Sequence, residues 1–513
     1  MQAVSQAWKD NQAQHLVGES FVELLYEVGD PDSLADATIS DNGAVPFSNT
    51  ALTVNEIDET MTRYAMFEQN LWGLDGSFRI LPESAPYTGT GFVSNNICNA
   101  AGLFSQNPTL TITFSRVHTR AIPGITIRWG AVYGDYADTF RVVVFNGAAV
   151  VATIDVAGNV ETISSLLQPI SNYNRITIEI IKWGNPLRRA RVEEVFVGIK
   201  RVFGKTDLVG YQHTARVDLL SAELPKNELK FEIGNLNGEY NPLNPDGFNQ
   251  YLLERQRIIA KHGFMINGNI EWIRAGVSYL SEWSTPQNGI TATFTARDLL
   301  GLMQSKYAAT VTNTSLHDLA VTVLTLANLP HNRDGSVKWV LHPSLATIMV
   351  DSAELDHTLA EVLQMIANAG RCVIYQDRHD RLRIEPLVFS ANDYVVNTMN
   401  SYRASELIMT KKLRSVNVNK GMAVVQNEPE GEEQLVDNPL VSAAQANAVA
   451  LWVRDVLSHR NIFKGSFRAD PRLDALDRIS VVNQFGSSLV AVTEIVYNYN
   501  GAFKGSYEGR AIP

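Results

Sequence analysis

Between residues 65 and 200 one pattern recurs: a short run rich in β-branched or aromatic residues, followed by a turn signal. The runs are Leu110–Phe114, Ile125–Trp129, Phe140–Phe145, Val150–Ile154, Arg175–Ile181 and Val192–Val197. Asn146-Gly147 and Gly158-Asn159 separate some of them, and both pairs favour tight turns. Evenly spaced short strands are typical of two packed sheets. The pattern predicts an inserted β-sandwich, jelly-roll-like, over residues 65–200.

The flanking sequence has a different pattern of strand-like and helix-like runs. Residues near the N-terminus read as a polar arm or helix followed by strands such as Phe21–Val28. From residue 201 onward, strand-like runs alternate with amphipathic helical runs. We therefore expect an α+β, β-rich multidomain chain. The predicted segments are 1–64, 65–200, 201–310, 311–400 and 401–513.

Three helices in the second half have start or stop signals. The first starts near Thr314 or Ser315. The second runs from Thr358, with Glu361 completing a capping box, to a stop at Gly370. The third spans residues 442–459, and the acidic run over residues 428–433 before it reads as a solvated loop.

Composition narrows the function classes. The 513 residues carry a formal net charge of -11, which argues against a general nucleic-acid binder but suits a wall past which a polyanion moves without sticking. Cys98 and Cys372 are too far apart in sequence to form a disulfide framework. The sequence has no signal-peptide pattern and no transmembrane run, so we expect folding in the cytoplasm and no membrane anchor.

One segment is unusually dense in turn residues. A strand-like run starting at Phe231 leads into Asn235-Leu-Asn-Gly-Glu-Tyr-Asn-Pro-Leu-Asn-Pro-Asp-Gly247, and the chain then restarts as a short amphipathic helix up to Gln256. Asn and Gly adopt turn conformations, whereas Pro242 and Pro245 fix φ and remove backbone donors. The segment predicts a rigid, polar turn.

This segment resembles one in bacteriophage tail hub and baseplate hub proteins. Three more stretches are similar to the same family in the same order: Asn70–Ser77, Arg188–Gly198 and Arg468–Val482. The resemblance implies a virion structural protein with an inserted β-sandwich, in which β-barrel pieces of three copies close a ring that lets double-stranded DNA pass. It also implies assembly in the host cytoplasm, no C-terminal lysin-like or fibre-like extension after Pro513, no cofactor, and tail partners: a distal tail or tube protein, a tape measure, and a tip or fibre protein.

Two sets of residues are candidate contacts. The turn segment is the candidate subunit junction, through Asn235, Asn237, Tyr240, Pro242, Pro245 and Tyr251. The sandwich carries aromatic residues that could stack on cell-wall carbohydrate: Trp129, Tyr133, Tyr136 and Trp183. Aromatic residues in strands are more often core, because each buries a large apolar area. Arg188, Arg189 and Arg191 favour salt bridges at a subunit junction over phosphate binding.

The sequence favours neither a catalytic site nor a metal site. Asp377-Arg-His379-Asp380 reads as a polar hairpin turn, and Asp356-His357 as the start of a helix. The spacing of the turn segment fails the calcium-loop template, and the common hydrolase and nucleotide-binding signatures do not occur. We therefore predict no catalytic residue and no metal. Two alternatives stay open: a carbohydrate-binding adhesin, which requires an exposed aromatic platform, and a peptidoglycan hydrolase, which requires a cleft of convergent titratable residues.

Overall fold

The computed structural model describes residues 1–14, 17–54, 63–66, 68, 71, 73, 75–80, 91–286, 289–330, 336–389 and 394–512. The α-helices within these ranges are α1 (Gln6–Ala13), α2 (Pro31–Asp36), α3 (Leu316–Ala327), α4 (Leu359–Ala369) and α5 (Ala443–Ser458). None of the helices in the described ranges is long and apolar enough to cross a membrane. Of the predicted Asn70–Ser77 motif, Asn70, Trp72 and Leu74 lie outside the described residues.

Strands dominate the chain, as the sequence predicts. The first half contains β1 (Ser20–Gly29), β2 (Thr38–Asp41), β3 (Phe92–Ile97), β4 (Thr109–His118), β5 (Ile125–Trp129), β6 (Ala137–Asn146), β7 (Ala149–Val156), β8 (Ile163–Leu166), β9 (Tyr173–Trp183), β10 (Arg189–Phe196), β11 (Gly198–Phe203), β12 (Leu208–Arg216) and β13 (Lys226–Gly234). The second half contains β14 (Arg257–Ile266), β15 (Asn269–Ser284), β16 (Thr291–Arg297), β17 (Lys306–Ser315), β18 (Trp339–Leu341), β19 (Met349–Thr358), β20 (Val373–Gln376), β21 (Leu382–Glu385), β22 (Tyr394–Val396), β23 (Glu406–Met409), β24 (Leu413–Val418), β25 (Ala423–Gln426), β26 (Glu432–Val436), β27 (Asn461–Phe467), β28 (Arg478–Asn483), β29 (Gly486–Tyr499) and β30 (Phe503–Ala511).

Thirteen strands form one large sheet. Its main path is β11-β1-β14-β15-β16-β13-β12-β29-β30-β27-β23, and β28 and β22 extend it beside β29. In β13, Leu229 and Phe231 are buried, while Lys226 and Lys230 on the other face are exposed. This alternation places one face on a core and the other in water. Strands of the predicted segments 201–310 and 401–513, β12–β16 and β27–β30, therefore share this one sheet.

A second group of elements covers part of the large sheet. The helices α3, α4 and α5, with β17–β21 and β24–β26, form one core that also includes Ile259, Val277 and Tyr279 of the large sheet. We call residues 299–385 and 413–458 the helical part. Strand β14 is consequently buried on both faces: Ile258 and Ala260 face one core and Ile259 the other.

The structure confirms the three predicted helices. Ser315 is the N-cap of α3, and its side chain accepts from the backbone N–H of Asp318. Thr358 and Glu361 form the capping box of α4, which Gly370 ends. Helix α5 lies between residues 442 and 459. The acidic run is different from the prediction, because Glu432 and Glu433 belong to β26, an exposed edge strand parallel to β24.

Residues 30–197 leave the large sheet and return to it at one point. Strands β1 and β11 are neighbours, and Gly29, the last residue of β1, lies opposite Gly198, the first of β11. Between them the chain forms a five-stranded sheet, β2-β4-β9-β6-β7, and a four-stranded sheet, β3-β10-β5-β8. Both sheets contribute to one core, in which the ring of Trp129 lies 4.9 Å from that of Phe140. We call residues 30–197 the insertion.

The predicted boundary at residue 65 does not coincide with the start of this unit. Strand β2 pairs with β4, so residues that the sequence assigned to an N-terminal arm belong to the insertion. The run Thr38-Ile-Ser-Asp41 is short and mostly polar, and such an edge strand gives little periodic signal. Helix α1, by contrast, packs on the large sheet and not on the insertion. Its Trp8 is buried against Phe264 of β14, with 5.1 Å between the ring centres.

The paired ends of the insertion lead to a testable expectation. Deleting residues 30–197 and joining Gly29 to Gly198 by a short glycine-serine linker should leave a folded remainder, because β1 and β11 keep their pairing. Circular dichroism should show a β-rich spectrum and a cooperative thermal transition. A remainder without a cooperative transition would show that the insertion and the large sheet share one folding unit.

Candidate functional site

Residues 235–256, which we call the turn segment, are fixed to the large sheet on their inner side. The anchor is Arg201 of β11, whose guanidinium donates to the carboxylate of Glu239 at 2.7 Å and to the hydroxyl of Tyr240 at 2.6 Å. The same guanidinium carbon lies 3.7 Å from the centre of the Phe248 ring. Ion pairing and stacking of an arginine plane on an aromatic face together hold the segment in place.

Two of the predicted junction residues are internal supports. Asn235 Oδ1 accepts from the backbone N–H of Tyr240 at 3.0 Å, and both side chains are buried. The ring of Tyr240 meets that of Phe294 edge-on, with 5.5 Å between the centres. Burial raises the pKa of Tyr240, so the phenol stays neutral at physiological pH. These contacts make the turn rigid, and they leave neither side chain available to a partner.

The outer side of the turn segment carries two leucines that the sequence analysis did not single out. Leu236 is 86% exposed and Leu243 is 74% exposed. The predicted contact residues Asn237, Pro242 and Pro245 are exposed beside them. Because the turn is already ordered on folding, little further conformational entropy would be lost if these apolar side chains were covered. In the sequence, the signal that could have identified these two exposed residues is a leucine standing among turn-forming residues.

The predicted helix after the turn is one short 3₁₀ turn, Phe248–Tyr251. The chain then extends to reach Gln256, which is buried. Gln256 donates to the carbonyl of Gly29 and to that of Tyr251, each at 2.8 Å, and accepts from the hydroxyl of Tyr26 at 2.6 Å. These bonds fix the end of the turn segment and prevent a continuous helix. Tyr251 is half-buried.

The candidate sugar-stacking residues do not form an exposed platform. Trp129 and Trp183 are buried in the core of the insertion, with 6.1 Å between their ring centres. Tyr133 is half-buried under Arg191, whose guanidinium lies 4.7 Å from its ring centre. Tyr136 is half-buried and packs against the same core. The two tryptophan rings cannot meet a sugar, because protein atoms cover them.

The three arginines near the end of the insertion pair within the chain. Arg188 and Arg191 contact the two carboxylate oxygens of buried Asp135, at 2.6 and 3.0 Å. Arg191 also contacts Glu68 at 2.5 Å. Arg189 donates to the backbone carbonyl of Ser94 at 3.0 Å. The expectation of salt bridges at a subunit junction is therefore wrong for Arg188 and Arg191, whose partners lie in the same insertion.

The candidate acid–base residues have structural positions. Asp377–Asp380 joins β20 to β21, which confirms the predicted hairpin turn, and His379 is exposed on it. His357 lies 3.9 Å from the carboxylate of Glu361 at the start of α4. Among the residues that the structure describes, no group of three or more His, Cys, Asp or Glu side chains is placed to hold a metal ion.

The turn at Asp380 leads to a feature that the sequence did not reveal. Charged side chains of alternating sign form a chain through the interior, which we call the charge chain. Its members, in order, are Glu194, Lys200, Glu27, Arg257, Asp380 and Lys338. Lys200 Nζ lies 2.6 Å from Glu194 and 2.8 Å from Glu27. The chain thus begins in the insertion, on β10, and enters the large sheet through β11 and β1.

The second half of the charge chain reaches the helical part. Arg257 of β14 lies 3.6 Å from Glu27 and 3.9 Å from Asp380. Asp380 contacts Lys338 directly, and both side chains are fully buried. The hydroxyl of Tyr279 donates to Asp380 at 2.7 Å. Three carboxylates and three cations alternate, so the chain is neutral as a whole.

Burial and pairing act in opposite directions on Lys200. Burial alone lowers the pKa of an ammonium group, but the carboxylates of Glu194 and Glu27 outweigh it and raise the pKa of Lys200. The lysine is therefore charged at any physiological pH. Charge pairs of this kind are sensitive to the loss of one member, because the remaining charge stays buried.

A separate buried carboxyl group lies under the large sheet. Asp298 follows β16, is 4% exposed, and accepts from the backbone N–H of Gly301 at 3.1 Å. It lines a polar cavity of about 350 Å³ together with Asn227 and His213. Burial raises the pKa of Asp298 to about 7, against the opposing effect of its hydrogen bonds. Burial also lowers the pKa of His213 to about 4, so this histidine is neutral near pH 7.

Comparison with known proteins adds weak likenesses. No protein-family model and no curated protein matches the chain. The 43 kDa tail protein of prophage MuSo2 from Shewanella oneidensis is 12% identical over 60% of this chain and 94% of its own, with a TM-score of 0.43. A tail protein from Neisseria meningitidis MC58 is 12% identical over 61% and 93%, with a TM-score of 0.41. Prophage tail protein gp18 from Listeria monocytogenes EGD-e is 8% identical over 61% and 91%, with a TM-score of 0.38. At these identities and TM-scores the likenesses do not establish the function of this chain.

The charge chain predicts unequal effects of two matched substitutions. Lys338→Met leaves Asp380 buried beside a single, more distant cation, so it should lower the free energy of unfolding by about 3 kcal/mol. Lys306→Met removes the lysine of an exposed pair with Asp356, 70% and 68% exposed, and should cost less than about 1 kcal/mol. Urea unfolding of both variants measures the difference. Equal losses of unfolding free energy in the two variants would contradict the conclusion that the buried charge chain stabilises the fold.

Asp298 predicts a pH dependence of stability. Because its pKa is higher in the folded state than in the unfolded chain, the folded state binds more protons between about pH 4 and pH 7. The contribution of Asp298 to the free energy of unfolding should therefore fall as the pH rises through this window, whereas His213, whose pKa is lowered to about 4, contributes in the opposite direction up to about pH 6.5. Asp298→Asn keeps a capping side chain but cannot titrate, so from pH 5 to pH 8 its free energy of unfolding should rise more, or fall less, than that of the wild type. Urea unfolding at pH 5 and pH 8 tests this, and an unchanged slope in the variant would refute it.

Proposed function

We propose that this protein is a structural component of a bacteriophage or phage-derived tail tip or baseplate, with no enzymatic activity. The observation that carries the proposal is the turn segment, anchored by Arg201 and projecting Leu236 and Leu243 from the protein surface. The sequence resemblance to tail hub proteins is centred on this same segment. A rigid turn with exposed apolar residues supports a role as a contact between subunits.

The ends of the large sheet support assembly of several copies. At one end, β11 carries exposed Val202 next to Arg201, the anchor of the turn segment. At the other end, every residue of β23 is exposed, including Leu407 and Met409. Leu407 pairs with buried Phe463, so an apolar row continues from the core to an uncovered edge. An uncovered edge such as β23 favours pairing with other chains, and copies arranged in a ring would cover it.

In the proposed assembly, three copies surround a passage for double-stranded DNA. A net charge of -11 per chain suits a wall that does not retain a polyanion. The partners would be the other copies and neighbouring tail proteins. Sugar binding by the insertion is the weaker alternative, because the rings of Trp129 and Trp183 are buried.

The assembly is tested on intact particles, because ring closure can require a neighbouring tail component. Electron cryomicroscopy should show three copies around the tail axis, with the turn segment at the boundary between copies. Six copies, or a position away from the channel, would refute the proposed ring.

Substitutions on the turn segment test the contact itself. The double variant Leu236→Asp and Leu243→Asp should fold normally, since both residues are exposed, but its incorporation into particles should fall by at least about tenfold. The matched control is Leu167→Asp, which changes an exposed leucine of the insertion. Quantitative immunoblots of purified particles measure incorporation. If both variants are incorporated like the wild type, the turn segment is not a subunit junction.

A further inference from the structure

The insertion is connected to the large sheet at a narrow joint. A side chain does not fit on either glycine there: a Cβ on Gly29 would lie 2.8 Å from the carbonyl oxygen of Val197, and one on Gly198 would lie 2.4 Å from that of Val28. Two chain crossings at glycines, with the ring of Phe196 packed beside both, restrict rotation less than a broad interface does. The joint therefore has the position and the structure of a hinge.

Beside the joint there is room for movement. A cavity of about 480 Å³ separates the insertion from the helical part. Its walls are Leu34, Val54 and Phe196 on the insertion and Leu302, Leu329 and Pro330 on the helical part. Glu27, Glu194 and Arg257 of the charge chain line the same cavity. Close-packed interiors resist displacement, so a cavity between two units is where a change of angle meets least resistance.

An ion pair crosses the joint, and Lys200 Nζ also lies 5.2 Å from the centre of the Phe196 ring. Glu194 belongs to the insertion, whereas its partner Lys200 and the rest of the charge chain belong to the large sheet and the helical part. Near it, the hydroxyl of Thr126 donates to the carbonyl of Gly198 at 3.1 Å. Displacing the insertion would separate Glu194 from Lys200 and expose the carboxylate to water, while Lys200 would keep Glu27 at 2.8 Å.

We propose that Glu194 and Lys200 form a releasable latch, which fixes the angle of the insertion and whose opening lets residues 30–197 swing about the Gly29–Gly198 joint. Opening at this end is cheaper than breaking the chain in its middle. Glu194 regains hydration, and Lys200 retains one carboxylate. The latch couples the position of the insertion to the core of the helical part through the unbroken line of charges from Lys200 to Lys338.

The chain offers a matched pair of variants. Glu194→Gln removes the charge that crosses the joint. Glu193→Gln removes the adjacent buried carboxylate, which contacts Arg128 at 2.7 Å and the backbone N–H of Val132 at 3.1 Å, all within the insertion. Both variants are compared with the full-length wild-type chain by hydrogen exchange and small-angle X-ray scattering. Since the isolated protein is measured, the outcome does not depend on the proposed assembly.

For Glu194→Gln, amide exchange in β11 should be roughly tenfold faster than in the wild type, and the scattering distance distribution should broaden. For Glu193→Gln, β11 should exchange as in the wild type, with any change confined to residues 126–132. Glu194→Asp, which keeps the charge but shortens the side chain, should give an intermediate result and serves as the test if Glu194→Gln does not fold. Wild-type behaviour of the Glu194 variants, or equal effects of both glutamine substitutions, would refute the latch.

Discussion

The charge chain is the interaction on which the arrangement of the whole molecule depends. The apolar residues form three cores: one in the insertion, one along the large sheet, and one that the helical part shares with residues of the large sheet. Hydrophobic burial stabilises each of these units but has no direction, so it does not determine how one unit faces another. Ion pairs from Glu194 to Lys338 cross both boundaries, and they are favourable only when each charge meets its partner. Charge pairing therefore adds a directional constraint to the packing between the units.

The large sheet explains why the exposed features lie where they do. Strand β14, in the middle of one half of the sheet, is buried on both faces and provides Arg257 to the charge chain. The outermost strand, β11, provides Lys200 to that chain and Arg201 to the turn segment. Successive residues of a strand point to opposite faces, so β11 holds the interior with one side chain and the turn segment with the next. The charge chain and the turn segment are thus linked through two adjacent residues.

Local features could be predicted from the sequence, whereas long-range ones could not. Capping at Ser315 and Thr358 was readable because a cap and its partner lie three residues apart. The start of the insertion was misplaced, since β2 is recognisable only through its pairing with β4, about 70 residues later. Nothing in the local sequence marks Glu27 and Lys338 as buried, because charged residues usually face water. Their partners come from distant parts of the chain, which no local pattern reveals.

The joint at Gly29 and Gly198 also bears on how such a chain diversifies. Opposed residues of an antiparallel pair lie about 5 Å apart, so a unit between them needs only neighbouring ends to be accommodated. Recombination at this point would exchange the whole insertion and leave the register of the large sheet unchanged. A new unit would lose Glu194 unless it brought an acidic residue to the same place. Related proteins that have exchanged the insertion should therefore retain both glycines. They should also have acquired an acidic residue opposite Lys200.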